Sequence, residues 1–155
     1  MLVLKVVQWL HILCGLLWFG GYIFTMFVVW PVLLRRPVAE ARAIQSMIEK
    51  VAAPLFGVAA FGSILLGIIR GIWLGPLKTW SAFTTPYAHA WMSALVWSIG
   101  LIVFGVVFIR RLPKFVWDGD ALRPKAATRV WQAGFIGLFF FSIILFCMVA
   151  MHFGG

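Results

Sequence analysis

LVLKVVQWLHILCGLLWFGGYIFTMFVVWPVLL, residues 2–34, contains a single charged side chain, Lys5, and its reading decides the fold. A membrane-spanning helix needs about 20 predominantly apolar residues, and this run exceeds that length. A cleaved signal peptide has a shorter apolar core followed by a small-residue cleavage site. Here Phe27-Val28-Val29-Trp30-Pro31 follows instead, so the stretch is expected to remain as a first helix. Comparable apolar stretches recur at about 52–74, 87–109 and 130–153. Apolar residues make up 64% of the chain and charged residues 11%. A soluble domain carries about 25% charged residues, so water is not the main solvent of this surface. The expected fold class is all-α: one integral membrane four-helix bundle over residues 1–155, with no separate soluble module.

Charge then orients the bundle. Ten of the 13 basic residues fall in two connections: Arg35, Arg36, Arg42 and Lys50 in one, and Arg110, Arg111, Lys114, Arg123, Lys125 and Arg129 in the other. Lys5, Arg70 and Lys78 are left for the opposite side. Basic loops stay in the cytoplasm, which puts both termini outside, in a bacterial-type inner (plasma) membrane. The net charge of +9 reads as a topology signal and an attraction to anionic lipid heads. Nucleic acid is not an expected partner, because the charges flank helices and form no single patch. Residues 38–50 read as a short amphipathic helix at the cytoplasmic interface, with Ala39, Ala43, Met47 and Lys50 three or four apart. Residues 76–85 form the outer loop, with Trp80 and Phe83 at headgroup level. Thr85-Pro86 is a helix start, threonine as N-cap and proline at the first position. Residues 110–129 read as a polar connection.

The chemistry-bearing residues are three histidines, His11, His89 and His152, all expected toward the outer end of the bundle. With a rise of about 1.5 Å per residue, His11 lies roughly two turns in, and His89 and His152 within about one turn of the surface. Imidazole is the usual ligand for haem iron or copper, and it is expensive in lipid without a partner. On the first helix, His11, Cys14, Gly15, Trp18 and Tyr22 share a face. Gly15 leaves room there for a flat macrocycle or for another helix. Arg70 has no carboxylate on its own side, since Glu40, Glu49, Asp118 and Asp120 all fall in the basic connections. A haem propionate or a lipid phosphate would supply the missing anion. Copper offers another set: Cys14 one turn from His11, Met92 near His89, and Cys147, Met148 and Met151 before His152, soft ligands suited to Cu(I). Each residue also has a plain packing reading, with the histidines as interfacial hydrogen-bonding groups, Arg70 reaching to lipid phosphate and the glycines allowing close helix contact. The cysteines read as small hydrophobes with no disulfide between them. With no acidic residue inside the apolar stretches, no carboxylate acid–base pair is available, and catalysis is not expected.

Trp9-Leu10-His11-Ile12 followed by Trp18-Phe19-Gly20-Gly21 resembles the first helix of the CopD-like superfamily of four-helix membrane proteins. That superfamily includes copper-resistance protein D domains and HemJ-type protoporphyrinogen oxidases. The likeness continues through Ile48-Glu49-Lys50 to Pro54, through Leu66-Gly67-Ile68-Ile69-Arg70-Gly71, and into Pro86-Tyr87-Ala88-His89. In the HemJ-type relatives the first-helix histidine, here His11, is implicated in haem binding. Their third helix carries a histidine and, two positions on, a lysine; here those positions hold His89 and Trp91. The resemblance therefore implies a haem site and departs from the oxidases at the lysine. The expected function is b-type haem binding, with His11 as one ligand, His89 or His152 opposite it, and Arg70 on a propionate. The expected role is electron transfer, alone with a redox partner or as a small subunit of a larger membrane complex. Copper uptake, and a cofactor-free accessory subunit packing against partner chains, are the alternatives.

Overall fold

Each apolar stretch becomes a long helix, and the computed structural model describes residues 2–153. The first long helix runs Leu2–Leu33, the second Val38–Trp73, the third Pro86–Val107 and the fourth Ala126–Phe153. All four lie in segments long and apolar enough to cross a membrane. Large apolar side chains face outward along them, among them Leu16, Val58, Val96 and Phe146, a surface that lipid solvates better than water.

Two helices change register along their length. The first passes through a π turn at Thr25–Val29. Thr25 Oγ1 donates to the Gly21 carbonyl at 2.7 Å, and Pro31 has no N–H for the carbonyl four residues before it. Both draw backbone groups out of the α pattern. The second long helix widens into a π turn at Ile69–Trp73, closed by Leu74 N–H on the Ile69 carbonyl at 3.1 Å. The third starts as its sequence specifies: Thr85 Oγ1 accepts from Ala88 N–H at 3.3 Å, with Pro86 at the first position.

Residues 38–50 do not form a separate interfacial helix. They continue without a break into the apolar stretch as one helix over Val38–Ile68, with Pro54 inside it. The buried face is also not the expected one. Ala41 and Gln45 are 0% and 8% exposed, whereas Met47 is 61% exposed. The reason is the connection at residues 110–129, which is structured. A short helix, Leu112–Val116, leads into two antiparallel strands, Trp117–Asp118 and Ala121–Leu122. Gly119, at φ 56°, takes the first corner of the two-residue turn, where a II′ hairpin requires glycine. Trp117 Nε1–H donates to Gln45 Oε1 at 3.1 Å, and Gln45 Nε2–H donates to Glu49 Oε1 at 2.8 Å. This small cap buries the Ala41–Gln45 face.

The helices pack as two antiparallel pairs, first with second and third with fourth. The pairs join through the first and fourth helices and, at Trp91 and Gly67, through the third and second. Tyr22 O–H donates to the Ala133 carbonyl at 2.6 Å, and Phe141 packs against Trp18 and Phe19 at 5.3 and 4.8 Å between ring centroids. The buried core lies toward the basic connections, around Met26, Trp30, Leu101, Phe104, Val116 and Val130. Toward the end that carries Leu2 and Phe153 the two pairs enclose a cavity.

Candidate functional site

That cavity has a volume of about 520 Å³ and is lined by all four long helices. Sites for cofactors and small molecules run from about 300 to 1,000 Å³. Its most specific feature is the seating of His11. Nδ1 lies 2.8 Å from the Ser63 carbonyl oxygen. A carbonyl only accepts, so Nδ1 carries the proton and donates, and the lone pair is left on Nε2. No other protein group engages the ring among the described residues. Gly67 makes room for the ring: a Cβ there would stand 3.1 Å from His11 Cε1. An imidazole with one nitrogen fixed by a backbone carbonyl can ligate a metal through the other.

Trp91 is the second anchor. Its indole N–H donates to the Gly67 carbonyl at 3.2 Å, and its ring occupies the space that any side chain at position 71 would need. The second helix widens into its π turn at this place. Sharing the Gly67 carbonyl with an indole from another helix weakens its claim on a helical N–H, which favours the local change of register.

The cavity collects most of the residues singled out in the sequence, but not all. His11, Gly15, Arg70 and His152 line it. His89 does not; it is exposed, on the outside of the third helix. Arg70 makes no ion pair among the described residues, so a cation faces the cavity without its anion. Gln8, one turn from His11, also lines the cavity, and its Oε1 is buried without a hydrogen-bond partner. Buried polar atoms are nearly always partnered, so this one fits a site built for a polar ligand group. Of the copper set, Met148 and Met151 reach the cavity with His152, whereas Cys14, Met92 and Cys147 do not line it. Cys14 packs at the position of Gly62 on the second helix, where a Cβ would come within 3.1 Å of its Sγ. Among the described residues no group of three or more His, Cys, Asp and Glu side chains is placed to hold a metal ion.

Sequence reasoning missed Gln8, Ser63 and Gly67 as parts of this site, named Met148 only among the soft ligands of the copper reading, and read Trp91 only as the residue standing where a lysine was expected. Gln8 carried a usable signal, a lone amide one turn before His11 in an apolar run. The others act through contacts between helices that no local pattern encodes. No protein-family model, curated protein or solved structure matches this chain.

Proposed function

We propose that this chain is a multi-pass membrane protein that binds b-type haem in the cavity between its helix pairs and serves electron transfer. The observation that carries the reading is His11, with Nδ1–H on the Ser63 carbonyl and Nε2 without a hydrogen-bond partner among the described residues, in a cavity also lined by Arg70, which makes no ion pair among them. An amphipathic macrocycle with carboxylate arms matches that donor set. His11 would hold the iron, and Arg70 would meet a propionate. When bound, the haem supplies one-electron redox chemistry. The protein excludes bulk water with its apolar walls and fixes the ligand tautomer through Ser63. Gly15, whose Cβ position stands 3.6 Å from Ser63 Oγ, keeps the wall beside His11 free of a side chain.

The wider reading follows the charge pattern: basic connections in the cytoplasm and the cavity end outside, in a bacterial-type plasma membrane, within the CopD-like superfamily. The departure at Trp91 argues for haem binding without the oxidase activity of the HemJ-type relatives, and an electron-transfer partner or larger complex completes the role. The test is a reduced-minus-oxidised visible spectrum of the detergent-purified chain, with metal analysis on the same sample. One haem per chain, lost in His11→Ala with the helical content intact, is the expected result. Stoichiometric copper without a Soret band moves the function to copper handling through Met148, Met151 and His152. Neither metal, in a chain that co-purifies with a complex, leaves an accessory subunit.

A further inference from the structure

We propose that Met148, and not a second histidine, is the iron ligand facing His11. This assignment rests on the haem reading and goes beyond it. The argument is one of register. The first and fourth helices run antiparallel and are locked to each other by the Tyr22 hydrogen bond to Ala133 and by Phe141 against the Trp18 ring. Take Trp18 and Phe141 as opposite one another. Seven residues toward the N-terminus of the first helix is His11, and seven residues toward the C-terminus of the fourth is Met148. Seven residues is close to two turns at 3.6 per turn. Both steps therefore return to the same helix face, and both climb by about 10 Å. His11, its ring held against the second helix by Ser63, and Met148 then stand at one level of the bundle, and both line the cavity. His152 is four residues beyond Met148, a further climb of about 6 Å at 1.5 Å per residue. It is exposed, with its ring against Phe153 at 4.8 Å between centroids, which places it at the cavity mouth. His89 lies outside the cavity altogether.

A thioether opposite an imidazole raises the reduction potential of haem relative to two imidazoles. The fold would thus fix a more oxidising cofactor than two-histidine ligation gives. The experiment uses the haem-loaded full chain in detergent and compares wild type with Met148→Leu, Met148→His and His152→Ala by visible and magnetic spectroscopy and by redox titration. Met148→Leu keeps the apolar volume and is expected to convert a low-spin, six-coordinate spectrum to a high-spin one. Met148→His is expected to restore the low-spin spectrum with a lower midpoint potential. His152→Ala is expected to leave spectrum and potential unchanged. Haem that stays low-spin in Met148→Leu, or that loses its low-spin bands in His152→Ala, overturns this ligand while the haem reading stands. A folded wild-type chain that takes up no haem overturns both.

Discussion

At the residue level the site turns on what surrounds the His11 imidazole rather than on the imidazole alone. Ser63 fixes the tautomer through its backbone carbonyl, which no side-chain substitution at position 63 removes. The vulnerable support is Gly67, because a Cβ there already stands 3.1 Å from His11 Cε1 and a branched side chain adds two more carbons. Gly67→Val is expected to push the ring off the Ser63 carbonyl. Loss of such a supporting contact weakens metal affinity by about 10- to 100-fold, so haem content should fall after a gel-filtration step that wild type survives, with unchanged helical circular dichroism. That His11 and Arg70 line the cavity was foreshadowed in the sequence only by their chemistry, which belongs to the residue type. His89 was misplaced for a geometric reason. On the third helix Trp91, Ala94, Leu95 and Ser98 face the cavity, the three-four spacing of one stripe. His89 is two residues from Trp91, about 200° around the helix, and points away. Sequence spacing gave its level along the bundle but not its rotation about the helix axis.

At the level of the elements, the contact between the first and fourth helices depends on one glycine. The Tyr22 phenol lies where a side chain at Gly137 would go, and its O–H reaches the Ala133 carbonyl at 2.6 Å. Gly137→Ala is expected to destabilise the bundle by about 1–3 kcal/mol through overpacking. Tyr22→Phe is expected to cost about 1 kcal/mol through the lost hydrogen bond. Tyr22→Leu in the Gly137→Ala background should recover part of the loss, because the two positions share one space and are not additive. Denaturant titration of the four proteins in the same detergent measures all three numbers. The element boundaries show where the sequence sufficed. Thr85 and Pro86 carry their own capping chemistry and set the start of the third helix. Residues 38–50 do not. Their amphipathic face was chosen from spacing alone, whereas the face that is buried, Ala41 and Gln45, is selected by Trp117, some seventy residues away. A two-residue strand around Gly119 lies below what hydrophobic periodicity detects.

For the whole molecule, the packed core lies toward the basic connections and meets the cavity at Phe141 and Ile144, and this couples ligand binding to stability. The basic connections carry the cap and the buried core, while the end with Leu2 and Phe153 holds the two pairs around a 520 Å³ cavity. If the basic end is cytoplasmic, as the charge bias directs, a cysteine placed at Asp120 should react with an impermeant maleimide only after cells are opened, and one at Ser81 should react in intact cells. The reverse pattern would put the cavity on the inner side. A ligand seated at that end contacts the first and second helices through His11 and Arg70, and the fourth through its own facing residues. Binding therefore adds a tie between the pairs at the cavity end, where the protein alone joins them through the Trp91 bond to Gly67. Anything that binds the folded state and not the unfolded one adds about 2.7 kcal/mol of stability at 100 times its dissociation constant. At roughly 2–4 °C per kcal/mol for a chain of this size, saturating haemin should raise the thermal midpoint by about 5–10 °C. His11→Ala should abolish most of that rise while leaving the midpoint of the ligand-free protein near that of wild type, because His11 is half-buried beside the cavity and outside the packed core. An equal rise in the variant would mean that haemin associates with the apolar surface without using the cavity, and that measurement separates a built site from partition into the detergent-covered belt.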